Sequence, residues 1–161
     1  MATRIDGKAL AAKVKAQVAE KAAKLPRQPG LAVVLIGEDP ASQVYVRGKE
    51  ADCGECGIRS FPYRLPAETT QRELLDLIEK LNRNPEVDGI LVQLPLPAHL
   101  DAGQVLRAID PEKDVDAFHS ENVGRLHLGQ PRYLPCTPAG IMALLKKYGI
   151  DPAGKHCVVV G

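Results

Sequence analysis

Two kinds of apolar pattern alternate along the chain. Leu31-Ala-Val-Val-Leu-Ile36 and Gly89-Ile-Leu-Val-Gln93 are short continuous runs bounded by glycine or proline, while the segments between them repeat apolar residues at helical spacing. Continuous runs predict strands covered on both faces. Asp6 is placed to cap a helix over 7–25 with a stripe of Leu10, Val14, Val18 and alanines, ended by Pro26 and Pro29. Pro40 and Ser42 open a second helix that ends near Gly57, a left-handed stop. Residues 58–65 alternate as a strand, and Thr69 or Thr70 caps a third helix carrying Leu74, Leu75, Ile78 and Leu81. Pro95 and Pro97 lack the donor a ladder needs, so the strand through Gln93 stops there. Next come a short helix over 103–109, a loop over 110–116, and a weak hairpin or loop framed by Gly124 and Gly129. Thr137-Pro138 begins a helix through Tyr148 with proline in the favoured first position, and Gly149 closes it. Residues 155–161, Lys-His-Cys-Val-Val-Val-Gly, read as a turn and the start of a buried strand.

Helices alternating with apolar strands predict an α/β fold: a mainly parallel sheet with helices on both faces, in three layers. A length of 161 residues suits one domain with a sizeable core, and the unfinished pattern at the end reads as a fragment of something longer. The one boundary falls near Pro135 to Pro138, dividing 1–137 from 138–161. With 21 basic and 20 acidic residues and a net charge of +1, there is no electrostatic footprint for nucleic acid or an anionic membrane, which favours a small-molecule partner. No apolar stretch approaches the roughly 20 residues that span a bilayer, and Met1-Ala-Thr-Arg4 lacks a signal-peptide core. A cytoplasmic location is expected, and four cysteines fit reduced thiols there better than a disulfide scaffold.

Candidate chemistry gathers at three places. Tyr45 and Lys49 are four apart and share a helical face, Gln93 ends a buried strand, and Asp116 lies in Asp114-Val-Asp-Ala-Phe118. Strand ends are where α/β folds place ligands, so these groups read as one site for a flat, polar, nitrogen-rich ring. Each also has a plainer reading: Tyr45 covering a helix edge, Lys49 solvated, Gln93 serving a turn carbonyl, Asp116 bracing its loop. A Tyr-x-x-x-Lys helix also occurs in short-chain dehydrogenases, but Gly37-Glu-Asp-Pro40 is not the glycine-rich turn they require. Glu112, Asp114 and Asp116 lack the calcium-loop spacing, so no metal is expected. Cys53 and Cys56 have redox spacing but lie late in a helix, away from the end that stabilises thiolates. His99, His119, His127 and His156 fall in separate contexts.

Five motifs in one order, Ala41-Ser-Gln-Val-Tyr-Val-Arg-Gly-Lys49, Asp88-Gly-Ile-Leu-Val-Gln-Leu-Pro-Leu-Pro97, Asp114-Val-Asp-Ala-Phe118, Asn122-Val-Gly124 and Pro135-Cys-Thr-Pro-Ala-Gly-Ile141, closely resemble the bifunctional methylenetetrahydrofolate dehydrogenase/methenyltetrahydrofolate cyclohydrolase family. The resemblance covers nearly the whole chain. It implies a folate-binding catalytic domain followed by the first helix and strand of a Rossmann domain, with NADP held mostly beyond Gly161 and no cofactor-binding residue within the chain. It further implies a cytoplasmic homodimer that oxidises 5,10-methylenetetrahydrofolate with NADP and hydrolyses the methenyl product to 10-formyltetrahydrofolate.

By the same resemblance Lys49 is the catalytic lysine, Gln93 its partner, Tyr45 the ring that stacks on the folate, and Asp116 the carboxylate that holds the pterin. Val46, Arg47, Gly48, Val92 and Leu94 complete the substrate-binding set. An ionised carboxylate suits a pterin edge, which offers neighbouring N–H donors. An amine acts as a base only when neutral, a form favoured by burial and by a cationic ligand. Two departures stand out: Ala51 replaces a second lysine, and Ala117 replaces a glycine, which implies a different loop path if that glycine has positive φ. The alternative function is a folate-binding fragment without turnover.

Overall fold

The computed structural model of the chain describes residues 4–158 and 160. Through them run α1 (Gly7–Ala22), β1 (Gly30–Ile36), α2 (Pro40–Glu55), β2 (Arg59–Leu65), α3 (Gln71–Arg83), β3 (Gly89–Val92), α4 (Ala102–Ala108), α5 (Ser120–His127) and α6 (Cys136–Lys147). β1 is the centre of a parallel sheet of order β2-β1-β3, pairing Val34 with Tyr63 on one side and Val92 on the other. Its side chains alternate between two cores. Ala32, Val34 and Ile36 join Ile90, Val92, Leu74, Ile78, Leu81 and Val105 under α3 and α4, while Val33, Leu35 and Leu91 meet Val46 under α2. Both faces of the sheet are therefore covered, as continuous apolar runs require.

The chain leaves β1 through α2 toward β2 and returns through α3, on the opposite face, to β3. Where crossovers diverge in this way, open α/β sheets place ligands beyond the C-terminal ends of the strands, here those of β1 and β3. Thr70, not Thr69, caps α3: its side chain accepts from Glu73 N while the Glu73 carboxylate accepts from Thr70 N. Thr69 instead donates its hydroxyl to the Pro66 carbonyl. Replacing Thr70 by alanine should cost about 1 kcal/mol in urea unfolding, the usual worth of such a cap.

Four expectations are corrected. α1 ends at Ala22 rather than 25, and its stripe is only partly covered, with Val14 42% exposed, because α1 lies against α2 and α6 instead of the sheet. The hairpin or loop expected between Gly124 and Gly129 is largely helix α5. Its apolar Val123 and Leu126 stay exposed and its buried residue is the polar Asn122, so no apolar stripe announced it; Gly129, at φ +73°, is its stop. Pro138 is the third residue of α6, not the first, still within the turn whose N–H groups have no intrahelical partner. Residues 155–158 and 160 form no ladder, and Val158 is exposed; Val159 and Gly161 lie outside the described residues. A buried strand needs neighbours, and no described strand lies beside this segment.

Candidate functional site

Side chains from three separate elements converge at the C-terminal edge of the sheet. Val46 anchors α2 to the core, and this fixes the rotation of the helix so that Lys49 lies toward β3. β3 delivers Gln93: its N–H continues the ladder onto Val34 O at 2.9 Å, after which Leu94-Pro95 turns the chain away through a cis peptide bond. Lys49 Nζ donates to Gln93 Oε1 at 3.1 Å, and Gln93 Nε2 donates to the Leu94 carbonyl at 2.6 Å. With its amide fixed at both ends, Gln93 can hold the amine in one direction.

The half-buried Asp116 is the third member. Burial pushes its carboxyl above the ordinary value; the Lys49 ammonium opposes this and the Asp114 carboxylate adds to it. Lys49 is thus bonded to Gln93 and near enough to act on the charge of Asp116. Tyr45 lies one turn earlier on α2 with 65% of its surface free, as a ring awaiting a stacked ligand would be. Leu94 is half-buried beside Gln93. The rest of the expected set behaves differently. Val46 and Val92 are core residues on opposite faces of the sheet, and Arg47 and Gly48 are exposed on α2.

The loop carrying Asp116 is held at several points. Ile90 N donates to Lys113 O at 2.7 Å and Ile90 forms an isolated bridge with Asp114, tying the loop to β3. Lys113 Nζ reaches the carbonyls of Leu81, Asn82 and Asn84 at the end of α3. Ala117 sits at φ +58°, so the left-handed conformation expected of a glycine is kept by an alanine. That geometry costs about 1–2 kcal/mol. Ala117→Gly relieves it but removes a buried methyl worth about 0.8 kcal/mol and loosens the unfolded chain by about 0.4–1 kcal/mol. The two sides nearly cancel, so urea unfolding should show a change below about 1 kcal/mol. A shift above about 2 kcal/mol would contradict the strain assigned to this turn.

A cleft of about 580 Å³ lies on the other flank of α2, lined by Glu38, Gln43, Arg64 and Glu68 among others. Arg64 is already paired with Glu50 at 2.7 Å. Two free carboxylates and one occupied guanidinium do not suit a folate, whose glutamate tail is itself anionic, and the site chemistry lies with Lys49 instead. Burial pushes the Cys53 thiol up, with Cys56, Asp52 and Glu50 adding to it, away from the thiolate that redox chemistry uses. Among the described residues no cluster of three or more His, Cys, Asp or Glu can hold a metal ion, and no helix is long and apolar enough to cross a membrane.

The N-terminus of α2 does not suit a dinucleotide. The first strand-to-helix turn ends in Asp39, whose carboxylate accepts from Ser42 N at 2.7 Å, and that bond holds its carboxyl below the ordinary range. A fixed negative charge thus occupies the helix N-terminus that a pyrophosphate would need.

Comparison with known proteins places the sequence and the fold. Residues 5–116 match the model of the tetrahydrofolate dehydrogenase/cyclohydrolase catalytic domain, a match that runs through Asp116. The bifunctional protein FolD of Desulfovibrio desulfuricans is 61% identical over 98% of this chain and 56% of its own length, and that of Streptococcus pneumoniae is 58% identical over the same shares. The chain therefore spans a little over half the length of the curated relatives it matches. The crystal structure of FolD from Campylobacter jejuni superposes with a TM-score of 0.90 at 52% identity, covering 92% of this chain and 54% of that one. The Trypanosoma brucei methylenetetrahydrofolate dehydrogenase-cyclohydrolase, complexed with NADP and an inhibitor, gives 0.91 at 38% identity over 96% and 54%. Sequence and fold agree, and the chain belongs to the tetrahydrofolate dehydrogenase/cyclohydrolase family.

Proposed function

We propose that this chain is the folate-binding catalytic part of a bifunctional enzyme of one-carbon metabolism, and that its own residues carry the hydrolysis of 5,10-methenyltetrahydrofolate to 10-formyltetrahydrofolate. The observation that carries this is the Lys49–Gln93 hydrogen bond of 3.1 Å beside the half-buried Asp116. Asp116 accepts the N–H donors of the pterin edge, and Tyr45 covers the aromatic ring next to it. This sets the one-carbon unit over Lys49. Water adds to the cationic methenyl carbon, its oxygen forming the new C–O bond while a proton passes to the Lys49 amine. The bond from that carbon to N5 then breaks, N5 takes a proton, and the formyl group stays on N10. Gln93 serves by holding the amine in line.

The whole protein's oxidation of 5,10-methylenetetrahydrofolate belongs to the same proposal, with NADP as the hydride acceptor. The β1-to-α2 turn, with Asp39 at the helix N-terminus, does not suit that cofactor's pyrophosphate, and no described residue is given a part in hydride transfer. Packing of α6 on α1, where Tyr148 Oη accepts from Asp6 N at 2.7 Å, supports reading residues 138–161 as a connection leaving the sheet.

The test is hydrolysis of 5,10-methenyltetrahydrofolate by the purified chain against the uncatalysed rate. Hydrolysis well above that rate supports the enzyme. Folate binding without hydrolysis supports the second reading, a folate-binding fragment without turnover.

A further inference from the structure

Asp114 and Asn122 are buried to 1% and 0% exposure, polar, and outside the catalytic set. Asp114 accepts three hydrogen bonds: from Phe118 N at 3.2 Å, His119 N at 2.8 Å and Asn122 Nδ2 at 2.9 Å. Asn122 Nδ2 also donates to Pro111 O at 2.9 Å, and Asn122 Oδ1 accepts from Arg132 at 3.2 Å. Buried polar groups on this scale are costly unless fully paired, and here each is paired. The bonds close a ring from Pro111 to Asn122, with Asp116 and the left-handed Ala117 in the turn it encloses. On the far side Lys113 holds the loop to α3, so the turn has two fixed feet.

We propose that Asp114 and Asn122 are positioning residues for Asp116: a buried clamp that holds the strained turn, and so fixes the direction in which the Asp116 carboxylate meets the pterin. This rests on the reading above that Asp116 is the pterin-holding group. A carboxylate that must meet two neighbouring N–H groups together loses much of its value when its loop slackens, because charge-assisted pairs depend on geometry. The clamp therefore acts on affinity through one side chain and leaves Lys49 and Gln93 untouched.

The experiment is a double-mutant cycle on the dissociation constant for tetrahydrofolate, measured by calorimetry on the full chain for Asn122→Ala, Asp116→Asn and the double variant. Asn122→Ala should weaken binding about tenfold with Asp116 present and less than about twofold in the Asp116→Asn background. Equal losses in both backgrounds would overturn the clamp, since general loosening of the fold does not depend on Asp116. An Asp116→Asn variant that binds as well as the unaltered chain would instead overturn the reading of Asp116 itself. If Asn122→Ala does not fold, Arg132→Ala removes the bond at Asn122 Oδ1 from the half-exposed side. It should then show the same background dependence at about two- to threefold, and equal losses again sink the clamp.

Discussion

Replacing Lys49 by methionine should lower hydrolysis of 5,10-methenyltetrahydrofolate by at least about 100-fold, the low end of what a positioned acid-base group contributes. Tetrahydrofolate binding should stay within about threefold, because the proposed mode has Asp116 hold the pterin and Tyr45 the ring. Methionine keeps the length of the side chain and removes the amine, bonded to Gln93, to which the proposed step passes the water's proton. A second effect follows from the charge. Lys49 holds the Asp116 carboxyl down against the effect of burial, so without it the pH at which folate binding fails should move upward. Rate and binding are read separately in single-turnover and equilibrium experiments. Hydrolysis retained in the variant would remove Lys49 from the chemistry.

Asp116→Asn carries the second large effect. An ionised acceptor pair becomes a neutral amide with one acceptor, and the amide N–H₂ faces the pterin donors. Hydrogen bonds to charged groups are worth about 1.5–3 kcal/mol, so the dissociation constant should rise about ten- to hundredfold. The pH dependence has a definite sign. Asp116 has a raised carboxyl in the folded chain, so affinity that needs its ionised form is full above that raised value and falls as the pH drops through it. The ratio of variant to unaltered dissociation constants cancels the ligand's own titration and should approach one in acid. Stability runs the other way. A raised folded value means the ionised carboxylate costs stability above it, and the cost disappears below the unfolded value. The asparagine variant should accordingly be at least as stable as the unaltered chain at neutral pH, with no advantage in strong acid. A variant clearly less stable at neutral pH would contradict burial as the main cause of the shift.

How far the residues alone disclosed this arrangement depends on how each element is stabilised. β1 and β3 were legible because they are covered on both faces, and their sequences show it as unbroken apolar runs. α3 was legible from its buried Leu74, Ile78 and Leu81 and from the Thr70–Glu73 cap. Elements held by polar contacts were not. α5 is organised around the buried Asn122, and the 110–119 loop around Asp114 and Lys113, and such contacts leave no periodicity behind.

The site followed the same division. Tyr45, Lys49 and Gln93 stood out because helical spacing and a strand end give them direction, and Lys49 and Gln93 do meet. Asp116 came from the motif as much as from its loop. Asp114, in the same Asp-Val-Asp, and Asn122, in the quoted Asn122-Val-Gly124, were in view, but only the fold shows that they bond to one another. Val46 and Val92 lie next to functional residues in sequence, yet their side chains are turned into the cores. Adjacency along a helix or strand does not place two side chains in the same pocket.

The most direct measurement is the crystal structure of the chain with 10-formyltetrahydrofolate, the product of the proposed hydrolysis. The expected result has the pterin edge on the Asp116 carboxylate, the ring against Tyr45, and the formyl carbon beside Lys49 Nζ with the Gln93 bond intact. Folate seated instead in the cleft lined by Glu38, Gln43 and Arg64, with Lys49 and Asp116 free of it, would contradict the assignment of the site.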